Sequence, residues 1–222
     1  DEKNYKQNVV KTDEQFTFPS NPINIVLNGR EYLQTQSTVG KYGGELINST
    51  IGEGPKTFNP FNSKDSTSSS MAGLMYDGLF STSPKDGSIV PRLAKSYETK
   101  DGMTYIVRLR KGAKWSDGEP ITADDVVFTW NNIILAGYGN TSLRDAVMID
   151  GKLPKVYKID NYTVKFVISK PFAPFARLMS AQIAPKHIFE PVVKQGKKYF
   201  DSFYSTNTPP ELFVTSGPFR LK

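Results

Sequence analysis

The chain has 222 residues, of which 38% are hydrophobic, and its mean hydropathy is -0.41, so it has apolar material for one large core or two small ones. No run of about eighteen apolar residues occurs and no basic-then-apolar leader precedes the body, so no direct membrane span is predicted and the chain reads as a mature or trimmed form. The absence of cysteine excludes disulfides, thiolate catalysis and cysteine-ligated zinc, while the net charge of +6 comes from dispersed basic residues, which suits solubility and argues against nucleic acid as a partner.

Residues 1–39 are polar and lack sustained periodicity, with turn signals at Pro19, Pro22 and Asn28-Gly29. They are predicted to be an N-terminal arm, in which Ile23, Ile25 and Leu27 alternate with Asn24 and Val26 as one short strand. Gly43-Gly44 opens a predicted strand through Glu45 to Ile51, and a loop with Pro55, Asn59 and Pro60 follows. Met71, Leu74, Met75 and Leu79 then recur at helical spacing behind a serine-rich front suited to capping. Lys85-Asp86-Gly87 and Lys100-Asp101-Gly102 are reversals between short extended pieces.

The densest local signals lie between Thr104 and Trp130. Tyr105, Val107 and Leu109 alternate with Ile106, Arg108 and Arg110, the period of a strand with one apolar face. Trp115-Ser116-Asp117-Gly118 is a turn, because Asp117 can bond its own backbone and Gly118 accepts positive φ. Thr122 stands at a helix N-cap, Asp124 and Asp125 in the first turn at the positive end of the dipole, and Val126, Val127 and Trp130 on a buried side. Ala136 to Asn140 is loop. Val156–Ile159 and Tyr162–Ile168 flank Asp160-Asn161 as a hairpin, with Tyr162, Val164, Phe166 and Ile168 on one face. Phe175 to Ala181 is a predicted helix, Pro185-Lys186-His187 a linker, Phe189 to Phe200 helical again, and Thr215-Ser216-Gly217 a turn entering a last strand.

The run LRKGAKWSDGEPITADDVVFTW closely resembles the signature of the family 5 extracellular solute-binding proteins, the oligopeptide, dipeptide and nickel-binding receptors of ABC importers. GGELINSTIGEGPKTFNPFN, MYDGLFSTSPKDGSIVPRLAKSYE, VYKIDNYTVKFVISKPFAPF, IAPKHIFE and TSGPFRLK fit the same family in the same order, so the resemblance covers roughly residues 40–222. It implies an α/β, periplasmic-binding-protein-like fold of type II, cluster C, represented by lobe I with an inserted small antiparallel α+β domain and with the second lobe missing. The implied division is an arm at 1–39, a first lobe I segment at 40–77, the inserted domain at 78–172 and an incomplete second lobe I segment at 173–222. The implied function is a receptor that captures a peptide or other small solute between two lobes and delivers it to the membrane permease subunits. The expected setting is the periplasm or the extracellular face of the membrane, with a monomeric chain and no cofactor.

Chemistry-bearing residues are few. Adjacent helical residues point about 100° apart, so Asp124 and Asp125 would not converge on one substrate, and a helix start is the better reading. His187 is the single histidine, which rules out a histidine-rich metal site and leaves it structural; no G-x-S-x-G elbow and no phosphate-binding glycine loop is present. The loop Phe61-Asn62-Ser63-Lys64-Asp65-Ser66-Thr67-Ser68 is polar and leads into a helix N-terminus, where orphan N–H groups welcome acceptors. Two readings stay open for it, a capping loop and a ligand-facing one; the resemblance implies that it faces the cleft. Phe61, Asn62, Lys64, Asp65, Thr67 and Ser68 are therefore the candidate ligand contacts, joined by Tyr138 as a loop aromatic suited to a pocket, whereas Tyr76, Trp115 and Trp130 fit a core. An envelope enzyme or a chaperone-like interaction module on the same lobe is the alternative function.

Overall fold

A computed structural model describes residues 23–34, 43–49 and 51–222; the remainder of the predicted arm lies outside the described residues. The strands are β1 (Ile23–Leu27), β2 (Arg30–Gln34), β3 (Phe80–Thr82), β4 (Ile89–Pro91), β5 (Ala94–Glu98), β6 (Thr104–Leu109), β7 (Lys155–Asp160) and β8 (Thr163–Val167). The α-helices are α1 (Ser66–Met75), α2 (Ala123–Phe128), α3 (Ser142–Ala146), α4 (Phe175–Leu178), α5 (Lys186–Lys194) and α6 (Lys197–Ser202). A π-helical turn, Thr129–Ile134, continues α2.

The body is built on one four-stranded antiparallel sheet in the order β5-β6-β8-β7. The predicted alternation puts Tyr105, Val107 and Leu109 of β6 and Val164 and Phe166 of β8 on the buried face. α2 lies against that face, and Trp130 is fully buried with its ring edge-on to Phe166 at 5.1 Å. Trp115 is buried too, as expected of both tryptophans.

α2 starts as its sequence dictates. Thr122 is extended, its hydroxyl accepts from Asp124 N, and Asp125 Oδ2 accepts from Thr122 N at 2.8 Å, closing a capping box. The π turn was not legible in the sequence. Its extra residue per turn rotates the helix face, so that Trp130 and Ile134 join the cluster over the sheet while Phe128 and Ile133 join a second cluster with Phe58, Tyr76, Phe189, Phe200, Tyr204 and Phe213. One helical element is thus the wall between two cores.

Five local expectations are corrected. Residues 43–49 form no strand: no other described backbone runs alongside them to close a ladder, and Ile47 is 86% exposed. The stretch 186–200 is two helices, because α5 already begins at Lys186, taking in His187, and Gly196 at φ 94° turns the chain before α6. The helix expected over 175–181 stops at Leu178, and α3 occupies a stretch read without a helix. The turn at 215–217 enters no strand; instead Ser216 N and Gly217 N both donate to Met75 O, at 3.2 and 2.8 Å, and satisfy the end of α1.

The segment read as one short strand is a hairpin. β1 and β2 pair in full register across Asn28-Gly29, whose φ values of 48° and 75° are those of the tight turn this dipeptide favours. It docks on the body where Glu31 N donates to Lys111 O at 3.0 Å and Glu31 Oε2 accepts from Lys111 N at 3.0 Å.

Candidate functional site

The loop from Asn59 to Ser68 is the natural place to begin, since it carries six of the seven candidate contacts. Asn59 is fully buried; its Nδ2 donates to Phe200 O at 3.2 Å and its Oδ1 accepts from Phe61 N at 3.1 Å. Asn62 Nδ2 donates to Phe200 O and to Asp201 O, each at 3.1 Å. Two asparagines three residues apart thus satisfy the carbonyls at the end of α6, which a helix leaves without internal partners. In sequence, NPFN carries a turn signal and the candidate contacts Phe61 and Asn62, and the structure adds Asn59 as a positioning residue. Its signal was the repeat of a donor-bearing amide on either side of a proline.

Phe61, Asn62 and Tyr138 are brought together. Phe61 packs edge-on to Phe189 at 5.8 Å and tilted to Phe200 at 6.4 Å, and Tyr138 packs edge-on to the same Phe200 at 5.1 Å. Tyr138 OH donates to Val193 O at 3.0 Å. The two loops are clamped by Asn140, whose backbone N donates to Phe61 O at 2.7 Å and whose Nδ2 donates to Ser63 O at 3.0 Å. Gly139 makes the approach possible, since a Cβ there would stand 2.3 Å from Phe61 O.

Asp65, Thr67 and Ser68 gather separately at the start of α1. Asp65 is the N-cap and its Oδ1 accepts from Ser68 N at 2.8 Å; these hydrogen bonds hold its carboxyl below the ordinary range. Ser68 is fully buried, and its Oγ accepts from Lys56 N at 2.9 Å and Thr57 N at 3.3 Å. Lys64 is exposed and Thr67 half-buried, and neither side chain forms a hydrogen bond within the described residues. Asn62 Oδ1 is buried without a hydrogen-bond partner among the described residues, so of the seven candidates Lys64 and Thr67 are the two whose polar side chains make no hydrogen bond at all, while the other five hold the loop in shape.

The carboxylates of α2 diverge as expected from their spacing. Asp124 reaches Lys158 Nζ at 2.6 Å on the surface. Asp125 is buried, and its Oδ1 accepts from Lys186 N at 2.9 Å, so one side chain ties the start of α2 to the start of α5. Burial raises its pKa against the lowering effect of the N–H groups of Lys186 and Thr122. His187 projects from the first turn of α5, and its Nε2 lies 2.7 Å from Asp117 Oδ2. Burial pushes the Asp117 carboxyl upward, but the hydrogen bonds from His187 and Glu119 N outweigh it and leave the group below its ordinary value. A cavity of about 530 Å³ opens beside this pair, walled by Ser116, Phe213, Val214 and Arg220. No cluster of three or more metal-ligating side chains occurs among the described residues, and no helix there is long and apolar enough to cross a membrane.

The family model for the bacterial extracellular solute-binding proteins, family 5, middle part, matches residues 88–222. The chain belongs to that family. As a family 5 protein it is 34% identical over 170 residues to a probable ABC transporter-binding protein of Deinococcus radiodurans, covering 75% of this chain and 28% of the relative. Its fold matches the crystal structure of the ABC transporter substrate-binding protein CtaP of Listeria monocytogenes with a TM-score of 0.64 at 34% identity, over 81% of this chain and 34% of that one. It matches the oligopeptide-binding protein AppA of Bacillus subtilis, solved in complex with a nonapeptide, with a TM-score of 0.63 at 31% identity, over 77% and 32% of the two chains. This family 5 chain therefore has a mixed α/β fold and spans about a third of the length of the relatives it matches.

Proposed function

We propose that this chain is part of a non-catalytic substrate-binding receptor of an ABC importer, working at the periplasmic or extracellular face of the membrane as a monomer. In this reading it captures a peptide or a similar small solute between two lobes and presents it to the permease subunits. The observation that carries the proposal is the family match across 88–222, joined to structural likeness with a binding protein solved around a nonapeptide. Asp125 adds chemical support, since its carboxylate is committed to two helix starts instead of to a substrate. Within the receptor we propose 40–77 and 173–222 as segments of one lobe and 78–172 as the small domain, which contains the whole four-stranded sheet.

The proposed solute-facing surface is the loop at 61–68 with Tyr138. Lys64 and Thr67 supply its free polar groups, and Phe61, Asn62, Asp65, Ser68 and Tyr138 fix its shape. Intact mass spectrometry of the natural protein, purified without denaturant, tests the class of function. A retained peptide or other solute supports a receptor, and release of a chemically altered product supports an envelope enzyme instead. Calorimetry with the identified solute then tests the surface in the natural protein. Lys64→Ala is expected to weaken binding about fivefold, the loss of one exposed charged contact, with the unfolding midpoint unchanged. Unaltered affinity in both Lys64→Ala and Thr67→Ala would remove this loop from the site.

A further inference from the structure

A second cavity, of about 340 Å³, lies between the β1–β2 hairpin and the body and shares no residue with the loop at 61–68 or with Tyr138. Among the described residues its wall holds four cationic side chains, Arg30 from the hairpin and Arg92, Arg110 and Lys114 from the body, against two acidic ones, Glu31 and Asp77. The acids are partly committed elsewhere. Glu31 is held by Lys95 Nζ, outside the wall, at 2.7 Å and by Lys111 N at 3.0 Å. Asp77 is 3.9 Å from Arg92 Nε, a loose pair, and its backbone N donates to Ser216 Oγ.

Arg110 is 6% exposed, and its Nε donates to Arg92 O at 2.6 Å. The floor between the cations is apolar, formed by Leu93, Ala113 and Ile121. A wall of this kind combines surplus positive charge, fork-shaped donors that match a carboxylate in two points, and a dry patch for a few methylenes.

We propose that this cavity binds a small organic carboxylate with a short apolar body, its charge against Arg92 and Lys114 and its tail over Leu93, Ala113 and Ile121. Arg30 closes the site from the hairpin side, so occupancy also ties the hairpin to the body. An ammonium ion of the same size meets net repulsion, and a neutral alcohol offers Arg92 and Lys114 no negative charge.

The test is a titration of the nitrogen-labelled chain with valerate, pentanol and pentylammonium, followed by backbone amide shifts. Valerate is expected to shift Gly112, Ala113 and Ser216 saturably, and the other two to leave them in place. Arg92→Gln and Lys114→Gln are each expected to weaken valerate binding about tenfold, the loss of one charge-assisted hydrogen bond. Both side chains are exposed, so the fold survives, and unchanged amide positions elsewhere in the spectrum check this. Lys152→Gln, an exposed lysine remote in sequence from the cavity wall, is expected to leave the affinity unchanged. Equal responses to valerate and pentanol would show apolar partitioning only. That result, no response at all, or undiminished binding in both cavity variants overturns the proposal.

Discussion

The core over the sheet and the aromatic core share the wall formed by α2 and its π turn, yet they are assembled from different materials. The first draws on strands that alternate locally, with Val107, Val164 and Phe166 stacked across paired strands and Trp130 laid on top. The second draws single aromatic residues from Phe58 to Phe213, and its surroundings are pinned by polar contacts: Asn59 to the end of α6, and Tyr204 OH to Leu212 O at 3.2 Å and from Val214 N at 3.1 Å. A sheet-based core positions its side chains by the pleat. A core assembled from loops and short helices must fix each backbone segment separately, and buried amides and hydroxyls do this at the cost of needing every partner in place.

The largest expected effects come from emptying either side. Trp130→Ala and Phe189→Ala each remove a fully buried ring, and each is expected to lose about 3–5 kcal/mol in urea unfolding. The comparison sharpens in the shape of the transition. Both tryptophans report on the sheet-side core, so fluorescence and far-ultraviolet circular dichroism should move together in Phe189→Ala if the shared helix couples the clusters. Separate fluorescence and dichroism midpoints would show that the aromatic core unfolds on its own.

Asp125 sits at the junction and is expected to rank next. Asp125→Ala leaves the N–H groups of Thr122 and Lys186 without their acceptor, a loss of about 1–3 kcal/mol. Its pH dependence has a definite sign. Burial raises the folded pKa above the ordinary 3.8, so the folded state holds the proton more tightly than the unfolded chain. The stability gained this way is present below 3.8 and is lost as pH rises through the raised folded value. Asp125→Asn is expected to flatten that part of the stability profile, and an unchanged profile would place the charge of Asp125 outside the folding balance.

The same contrast explains what was legible in the sequence. The strands of the body, the two hairpin turns around Asp101 and Asp160 and the Thr122 cap follow from side-chain period and short-range hydrogen bonding, and all are present. The family could be read from the run at 109–130, whose residues carry the turn and the cap. The break at Gly196 is local, a glycine at φ 94°, whereas the π turn, where Ala184 N donates to Thr129 Oγ1, and the capping of α1 by Ser216 and Gly217 depend on neighbours far away in sequence. So does the fate of the loop at 61–68: nothing local to Asn62 says that its amide will meet Phe200 O and Asp201 O. The hairpin was half legible, since its first strand and Asn-Gly turn were plain, but the return strand Arg30–Gln34 mixes charged and apolar residues without a clear period.

The smallest effect is expected at that hairpin, whose described hydrogen bonds to the body all run through Glu31, to Lys95 and Lys111, which makes it a third term in the comparison. Glu31→Gln is expected to change global stability by about 0–1 kcal/mol, because a single carboxylate at a partly exposed contact contributes little. Its local effect is larger. Burial raises the Glu31 pKa, but the contacts to Lys95 and Lys111 prevail and hold it below the ordinary 4.5. Attachment is therefore fully present above 4.5 and is lost as pH falls through the lowered folded value, the opposite direction to Asp125. Hydrogen exchange of the β1 and β2 amides should accelerate on that acid side in the wild-type chain and at all pH values in Glu31→Gln, while amides of β6 and β8 stay protected. If acidification released the hairpin and the sheet together, the hairpin would have to count as part of the sheet-side core, and polar docking would no longer separate it from the body.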